Sequence, residues 1–201
     1  VYDAVENPNN PYGLRSWVNL LKPYPHLLMY MIYHEFTWSS WLANWVYTFG
    51  PEKVNDFMNL MARKCKEYDP NRLVTHGADP HDVTSWIHDS VGNFFSDFDI
   101  LGFDIYPHVN DIKDRTQTAI GFLRLTDNRS YYIAETGAST ATFGWYNPQP
   151  INQTQSAATI ELEYWMFTNY SEKCQGAIIF ESNDEYWKAP DGSTEMQWGL
   201  T

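Results

Sequence analysis

Apolar positions along this chain fall into two kinds of run, and the two alternate. Short, nearly continuous runs occur at Leu27–Tyr33, Leu73–His76, Ile100–Tyr106, Tyr131–Glu135 and Ala177–Glu181. That is the form of a strand buried on both faces. Longer runs with apolar residues every three or four positions occupy Leu14–Leu21, Pro51–Tyr68, Val83–Phe95, Asp111–Leu125 and Thr154–Thr168. Pro51–Tyr68 predicts the clearest helix. Pro51 suits a first turn, Val54, Phe57, Met58, Met61, Ala62 and Cys65 repeat at three and four, and Asp69-Pro70 stops it.

A helix followed by five strands with helical connections predicts an α/β domain with a parallel sheet and right-handed crossovers. A doubly wound open sheet and a closed barrel share that rhythm. The open sheet usually carries a Gly-rich turn after its first strand, and none occurs here. Each strand instead ends on a polar or acidic residue: Glu35, His76, Tyr106, Glu135 and Glu181. Functional groups at successive strand C-termini are a mark of (β/α)8 TIM-barrel enzymes. A full barrel takes about 250 residues and eight strands. The expectation is therefore one partial barrel domain over residues 1–201, holding about strands 4 to 8 and their helices. The first three strands are expected to be absent, supplied by a missing or separate segment that completes the barrel.

Charge and composition narrow the chemistry. The net charge of -12 argues against nucleic acid as a partner, and the absence of an eighteen-residue apolar run argues against membrane insertion. Aromatic residues make up 17% of the chain, with 9 Trp and 14 Tyr, many beside Gly, Pro, Asn and Asp. Sugar rings stack their C–H faces on such rings while their hydroxyls take polar partners, so a glycan-binding cleft fits this composition. Three sequons, at Asn128, Asn152 and Asn169, lean towards a secreted glycoprotein. Cys65 and Cys174 fit no metal or redox spacing. They are placed near the ends of different predicted helices, with no mutual bridge expected.

The chemistry of glycosidic cleavage needs one carboxylic acid to protonate the leaving oxygen and a second carboxylate as nucleophile or base. Glu35 ends the run Leu-Leu-Met-Tyr-Met-Ile-Tyr-His-Glu, and Glu135 ends Tyr-Tyr-Ile-Ala-Glu. Three strands apart, they would face each other across a barrel mouth. A lone strand-end Glu is more often a cap or a surface charge; two in register are better read as a catalytic pair. His76, Asp79 and His81 offer a metal set that Pro80 interrupts, so no metal is expected and His76 is read as lining the cleft. Of Trp38, Trp41 and Trp45, Trp38 is read as a sugar platform and the other two as core. Trp145, Tyr146 and Trp187 are further candidate platforms.

From about Trp17 to Trp198 the chain resembles the later part of a clan A glycoside hydrolase. In that clan the acid/base Glu ends strand four and the nucleophile Glu ends strand seven. Leu27–Glu35 resembles the former, and Tyr131–Gly137 with its Ala-Glu-Thr-Gly the latter. The stretch Phe180-Glu-Ser-Asn-Asp-Glu-Tyr-Trp-Lys188, with Glu195-Met-Gln-Trp-Gly-Leu200, resembles strand eight of family 17, the β-1,3-glucanase and glucan-transferase family. The resemblance implies Glu135 as nucleophile, Glu35 as acid/base and Tyr106 as a hydrogen-bond donor to the nucleophile. It places Glu181 and Lys188 near substrate subsites, where they could equally form a bracing salt bridge. His34 stands where the clan usually has Asn; a His-Glu pair there is similar to the mannanase-rich family 26, which leaves gluco against manno specificity open. The implied activity is retaining hydrolysis or transglycosylation of β-linked polysaccharide such as β-glucan, which requires no cofactor. A catalytically inactive glycan-binding or scaffolding barrel is the alternative.

Overall fold

The computed structural model describes residues 2–34, 40–78, 82–105, 123–137, 152–169 and 172–179. Short helix α1 (Tyr2–Val5) and α2 (Leu14–Leu21) lead into strand β1 (Met29–Met31). Helices α3 (Ser40–Phe49) and α4 (Pro51–Tyr68) follow, then β2 (Leu73–Thr75), α5 (Asp82–Ser90) and β3 (Leu101–Asp104). After a 3-10 turn at Arg124–Thr126 come β4 (Tyr131–Thr136), α6 (Gln153–Asn169) and β5 (Cys174–Ile179). The result is an α/β chain with parallel strands, divided into two compact units at Gly102 and Phe103.

In the first unit β1 and β2 pair in parallel, Met29 opposite Leu73 and Met31 opposite Thr75. The pairing runs on past the strands: Ile32 N–H donates to the Thr75 carbonyl at 2.9 Å, and Gly77 N–H to the Tyr33 carbonyl at 2.8 Å. Helix α4 covers the sheet because its apolar stripe faces inward. Val54, Met58, Ala62 and Cys65 are all buried. The turn into α4 needs Gly50, whose φ of +86° is costly for any residue with a Cβ. Below β1, the Tyr30 hydroxyl donates to Asp69 at 3.0 Å, and burial followed by that bond raises the phenol above its ordinary range. Asp99 accepts from Val74 N–H at 2.8 Å and pairs with Lys66 at 3.0 Å, tying the approach to β3 onto β2.

A second stripe of α4 is polar and grips a loop. Asn55 accepts from Phe95 N–H at 2.9 Å, and Asn59, one turn on, accepts from Asp97 N–H at 3.1 Å. Arg63, another turn on, pairs with Asp97. The spacing of four puts all three on one face of the helix. This grip ends α5 at Ser90, five residues short of the helix expected through Phe95. Phe94, Phe95 and Phe98 form an aromatic cluster instead.

The second unit contains a sheet of order β3-β4-β5. Ile105 N–H donates to the Glu135 carbonyl at 2.8 Å, and β4 pairs with β5 in parallel. Tyr131, Ile133, Phe103 and Ile105 are all essentially inaccessible, as strands covered on both faces should be. The β4–β5 register slips between the Tyr131–Cys174 and Ile133–Ala177 pairs. The extra residue on β5 is accommodated at Gly176, whose φ is +141°. Helix α6 packs on both strands and begins with a reciprocal cap: Asn152 accepts from Gln155 N–H at 2.9 Å, and the Gln155 side chain accepts from Asn152 N–H at 3.0 Å.

Several expectations change. Trp45, expected in the core, is 42% exposed, with its edge-on contact to Phe57 covering only part of the ring. The side chain of Trp41 lies outside the described residues. Cys174 begins a strand rather than lying near a helix end, because β5 starts three residues before the expected Ala177. Both cysteines are free thiols. Burial, with a smaller contribution from Asp69, pushes the Cys65 thiol up to about 12, and burial also raises Cys174. A thiol alkylating reagent at about pH 8 is therefore expected to leave Cys65 unmodified in the folded protein and to label it only on denaturation. Labelling of Cys65 at the unfolded-chain rate, read by peptide mass spectrometry, would contradict its burial. No helix among the described residues is long and apolar enough to cross a membrane.

Candidate active site

Strand β4 carries Glu135 in its fifth of six positions, after Tyr131, Tyr132, Ile133 and Ala134 have been buried. An acidic residue there cannot join the apolar core, and it lies at the end of the strand, half-buried. The backbone bond from Ile105 holds its carbonyl against the neighbouring strand. Across that junction stands Asp104, the last residue of β3, only 5% exposed. A carboxylate oxygen of Asp104 and one of Glu135 lie within 4.8 Å of each other. The second unit thus presents a buried and a half-buried carboxyl group side by side at neighbouring strand ends.

The two acids come from adjacent strands of one sheet. Both could also reach a single cation, although two oxygens make only part of the six to eight that a calcium ion takes.

Asp104 is the residue that reading strand ends missed. The signal was available: it is the sole charged residue in the run Ile100-Leu-Gly-Phe-Asp-Ile-Tyr106, and ionisable groups are rarely buried without a partner or a role.

His34 follows β1 in the first unit and is exposed. His76, expected to line a cleft, has no exposed surface; its ring packs edge-on against Phe95 at 4.8 Å and Phe98 at 5.2 Å. The loop held by Asn55 and Asn59 carries those two rings over it, which the sequence pattern did not reveal. Glu35, Trp38, Asp79, His81, Tyr106, Trp145, Tyr146, Glu181, Trp187 and Lys188 lie outside the described residues.

No protein-family model matches the chain, and no curated protein matches it in sequence. Solved structures do match. A glycoside hydrolase family 17 β-1,3-glucanosyltransferase from Rhizomucor miehei aligns with 93% of this chain at a TM-score of 0.64 and 11% identity, over 65% of its own length. A β-glucuronidase from Bacteroides uniformis aligns with 98% of the chain at a TM-score of 0.63 and 14% identity, over 24% of its length. A family 2 β-galacturonidase from Eisenbergiella tayi aligns with 99% at a TM-score of 0.60 and 16% identity, over 36% of its length. The chain therefore spans just under two thirds of the transferase and about a third or less of the other two. At these identities the likeness is one of fold: the chain has an α/β fold shared with glycoside hydrolases, consistent with part of a TIM barrel.

Proposed function

We propose that this chain is the catalytic portion of a retaining glycoside hydrolase or transglycosylase acting on β-linked polysaccharide, with β-1,3-glucan as its first candidate substrate. The observation that carries the reading is Glu135 at the end of a buried parallel strand with the buried Asp104 beside it, in a fold shared with glycoside hydrolases. The β-1,3 linkage is suggested by the glucanosyltransferase among those neighbours, a mutant of which is described in complex with laminaritriose.

In this reading Glu135 attacks the anomeric carbon while Glu35 protonates the departing glycosidic oxygen, leaving a glycosyl ester on Glu135. Glu35, now ionised, takes a proton from water or from an incoming sugar hydroxyl, and that oxygen displaces Glu135. Water gives hydrolysis and a sugar hydroxyl gives transfer. Tyr106 donates to Glu135. His34, Trp38, Trp145, Trp187, Glu181 and Lys188 bind the sugar, whereas His76, with no exposed surface, does not. The aromatic content and the sequons make an extracellular glycan the natural encounter.

One observation favours a second reading. His34, where clan A enzymes usually have Asn, fits a site that binds glycan, or scaffolds an assembly, without turnover; within the enzyme reading it would fit β-mannan. The chain is to be incubated with laminaritriose and longer β-1,3-glucan, and with β-mannan, while reducing ends and product lengths are followed. New products from β-1,3-glucan are expected. Products from mannan alone would move the specificity, binding without products would favour the scaffold, and neither would remove both readings.

A further inference from the structure

We propose that Tyr47 and Trp86 form an aromatic platform on the helical layer of the first unit that holds a neutral β-glucan chain, a binding site formed by none of the residues that carry the reaction. Tyr47 belongs to α3 and Trp86 to α5, helices that pack on each other and on α4. The two ring centroids are 5.7 Å apart, with the planes tilted by 35°. Tyr47 is 71% exposed and Trp86 39%. A single exposed ring is ordinary on a protein surface. Two exposed rings, carried by different helices and held in contact, make a joined aromatic surface that water solvates poorly and that a ligand with apolar faces can cover.

The residues around the rings select the ligand. Asn44 is exposed and lies three positions before Tyr47, on the same face of α3. Asp89 and Ser90 are exposed and lie three and four positions after Trp86, on the same face of α5. One oxygen of Asp89 is 2.9 Å from His88 Nδ1, and a carboxylate accepts more than one hydrogen bond. An amide, a hydroxyl and a carboxylate beside two rings match a sugar, whose C–H face stacks on the aromatic surface while its hydroxyls take polar partners. Neither helix contains Lys or Arg, which argues against nucleic acid or an anionic glycan. A protein partner would be met by a broader apolar face than two rings flanked by polar side chains. The choice of a β-glucan among neutral glycans rests on the activity proposed for this chain; the platform itself does not.

The test is a binding isotherm of the 201-residue protein on insoluble β-1,3-glucan, measured beside turnover of laminaritriose. Tyr47→Ala and Trp86→Ala are each expected to weaken retention about three- to tenfold. Tyr47→Phe keeps the ring and is expected to bind as wild type does. Turnover of laminaritriose should stay close to wild type in all three, because a short substrate gains nothing from a second contact. Raised salt should leave retention unchanged, since no cation takes part. Tyr47 is mostly in water, so its variants are expected to melt with the wild type and to decide the matter even where Trp86→Ala fails to fold. Wild-type retention by Tyr47→Ala, retention lost on raising salt, or a wild-type protein that turns over laminaritriose yet is not retained would each overturn the platform. Parallel loss of laminaritriose turnover and retention in Tyr47→Ala would put that ring in the reacting site and overturn an additional one. Retention that depends on Tyr47 in a protein that turns over no glucan would remove the proposed activity and leave the platform standing.

Discussion

Glu135→Gln is expected to lower the turnover of β-1,3-glucan by at least roughly a thousandfold while leaving the protein folded. The amide keeps the shape of the side chain but has no lone pair able to form a stable glycosyl ester, so the first displacement has no nucleophile. The contact that joins the two strands does not depend on the carboxylate. Here the backbone carbonyl of residue 135, not its side chain, accepts the 2.8 Å bond from Ile105 that joins β3 to β4. The amide is close to the carboxylate in size, so the midpoint should stay near that of wild type. Steady-state rates on glucan, measured beside a melting curve on the same preparation, separate chemistry from folding. Turnover within a few-fold of wild type would remove Glu135 from the reaction.

What made Glu135 legible in the sequence also explains what was not. A charged residue closing an apolar strand is a local pattern, and β4 formed over Tyr131–Thr136 within one residue of the expected run. Helix α4 formed over Pro51–Tyr68 as read, because its start at Pro51 and its stop at Asp69 are both encoded within a turn of the boundary. The differences come from contacts between residues distant in sequence. Strand β1 is Met29–Met31 rather than Leu27–Tyr33, its regular ladder being the three pairs with Leu73–Thr75, although single backbone bonds continue to Tyr33. Helix α5 stops at Ser90 because Asn55 and Asn59, about forty positions earlier, claim the backbone N–H groups of Phe95 and Asp97. His76 reads as a strand-end functional residue until that loop folds over it.

The same reasoning applies to the candidate site. Hydrophobic periodicity locates strand ends, and strand ends locate Glu135. It does not say which neighbour's side chain comes alongside, which depends on strand order and register. Asp104 becomes part of the site only once β3 is known to lie next to β4, with Ile105 bonded to Glu135. A lone acid in a buried strand was the one hint available beforehand.

Phe95→Ala is expected to cost about 3–5 kcal/mol, a large share of the roughly 5–15 kcal/mol that holds a domain of ordinary stability. Phe95 has no exposed surface, stacks on Phe94 with centroids 4.1 Å apart, and contacts Phe98 at 5.4 Å and His76 at 4.8 Å. Removing its ring opens a void that Phe94 and Phe98 on the pinned loop, and His76 at the end of β2, cannot close. The backbone adds a second effect that one further variant isolates. Phe95 has a φ of +45°, in the left-handed region that costs a side-chain-bearing residue about 1–2 kcal/mol. Its N–H is held there by Asn55 at 2.9 Å. Glycine adopts that conformation freely, and its extra unfolded-state entropy offsets only part of the gain. Phe95→Gly should therefore be destabilised less than Phe95→Ala, the reverse of the order expected at a buried site with ordinary φ. Urea midpoints for the two variants give the comparison directly. If Phe95→Ala proves the more stable, the loop is not held in the left-handed conformation, and the Asn55 grip is not what ends α5. If both variants lie within 1 kcal/mol of wild type, the aromatic cluster over His76 contributes little to the first unit.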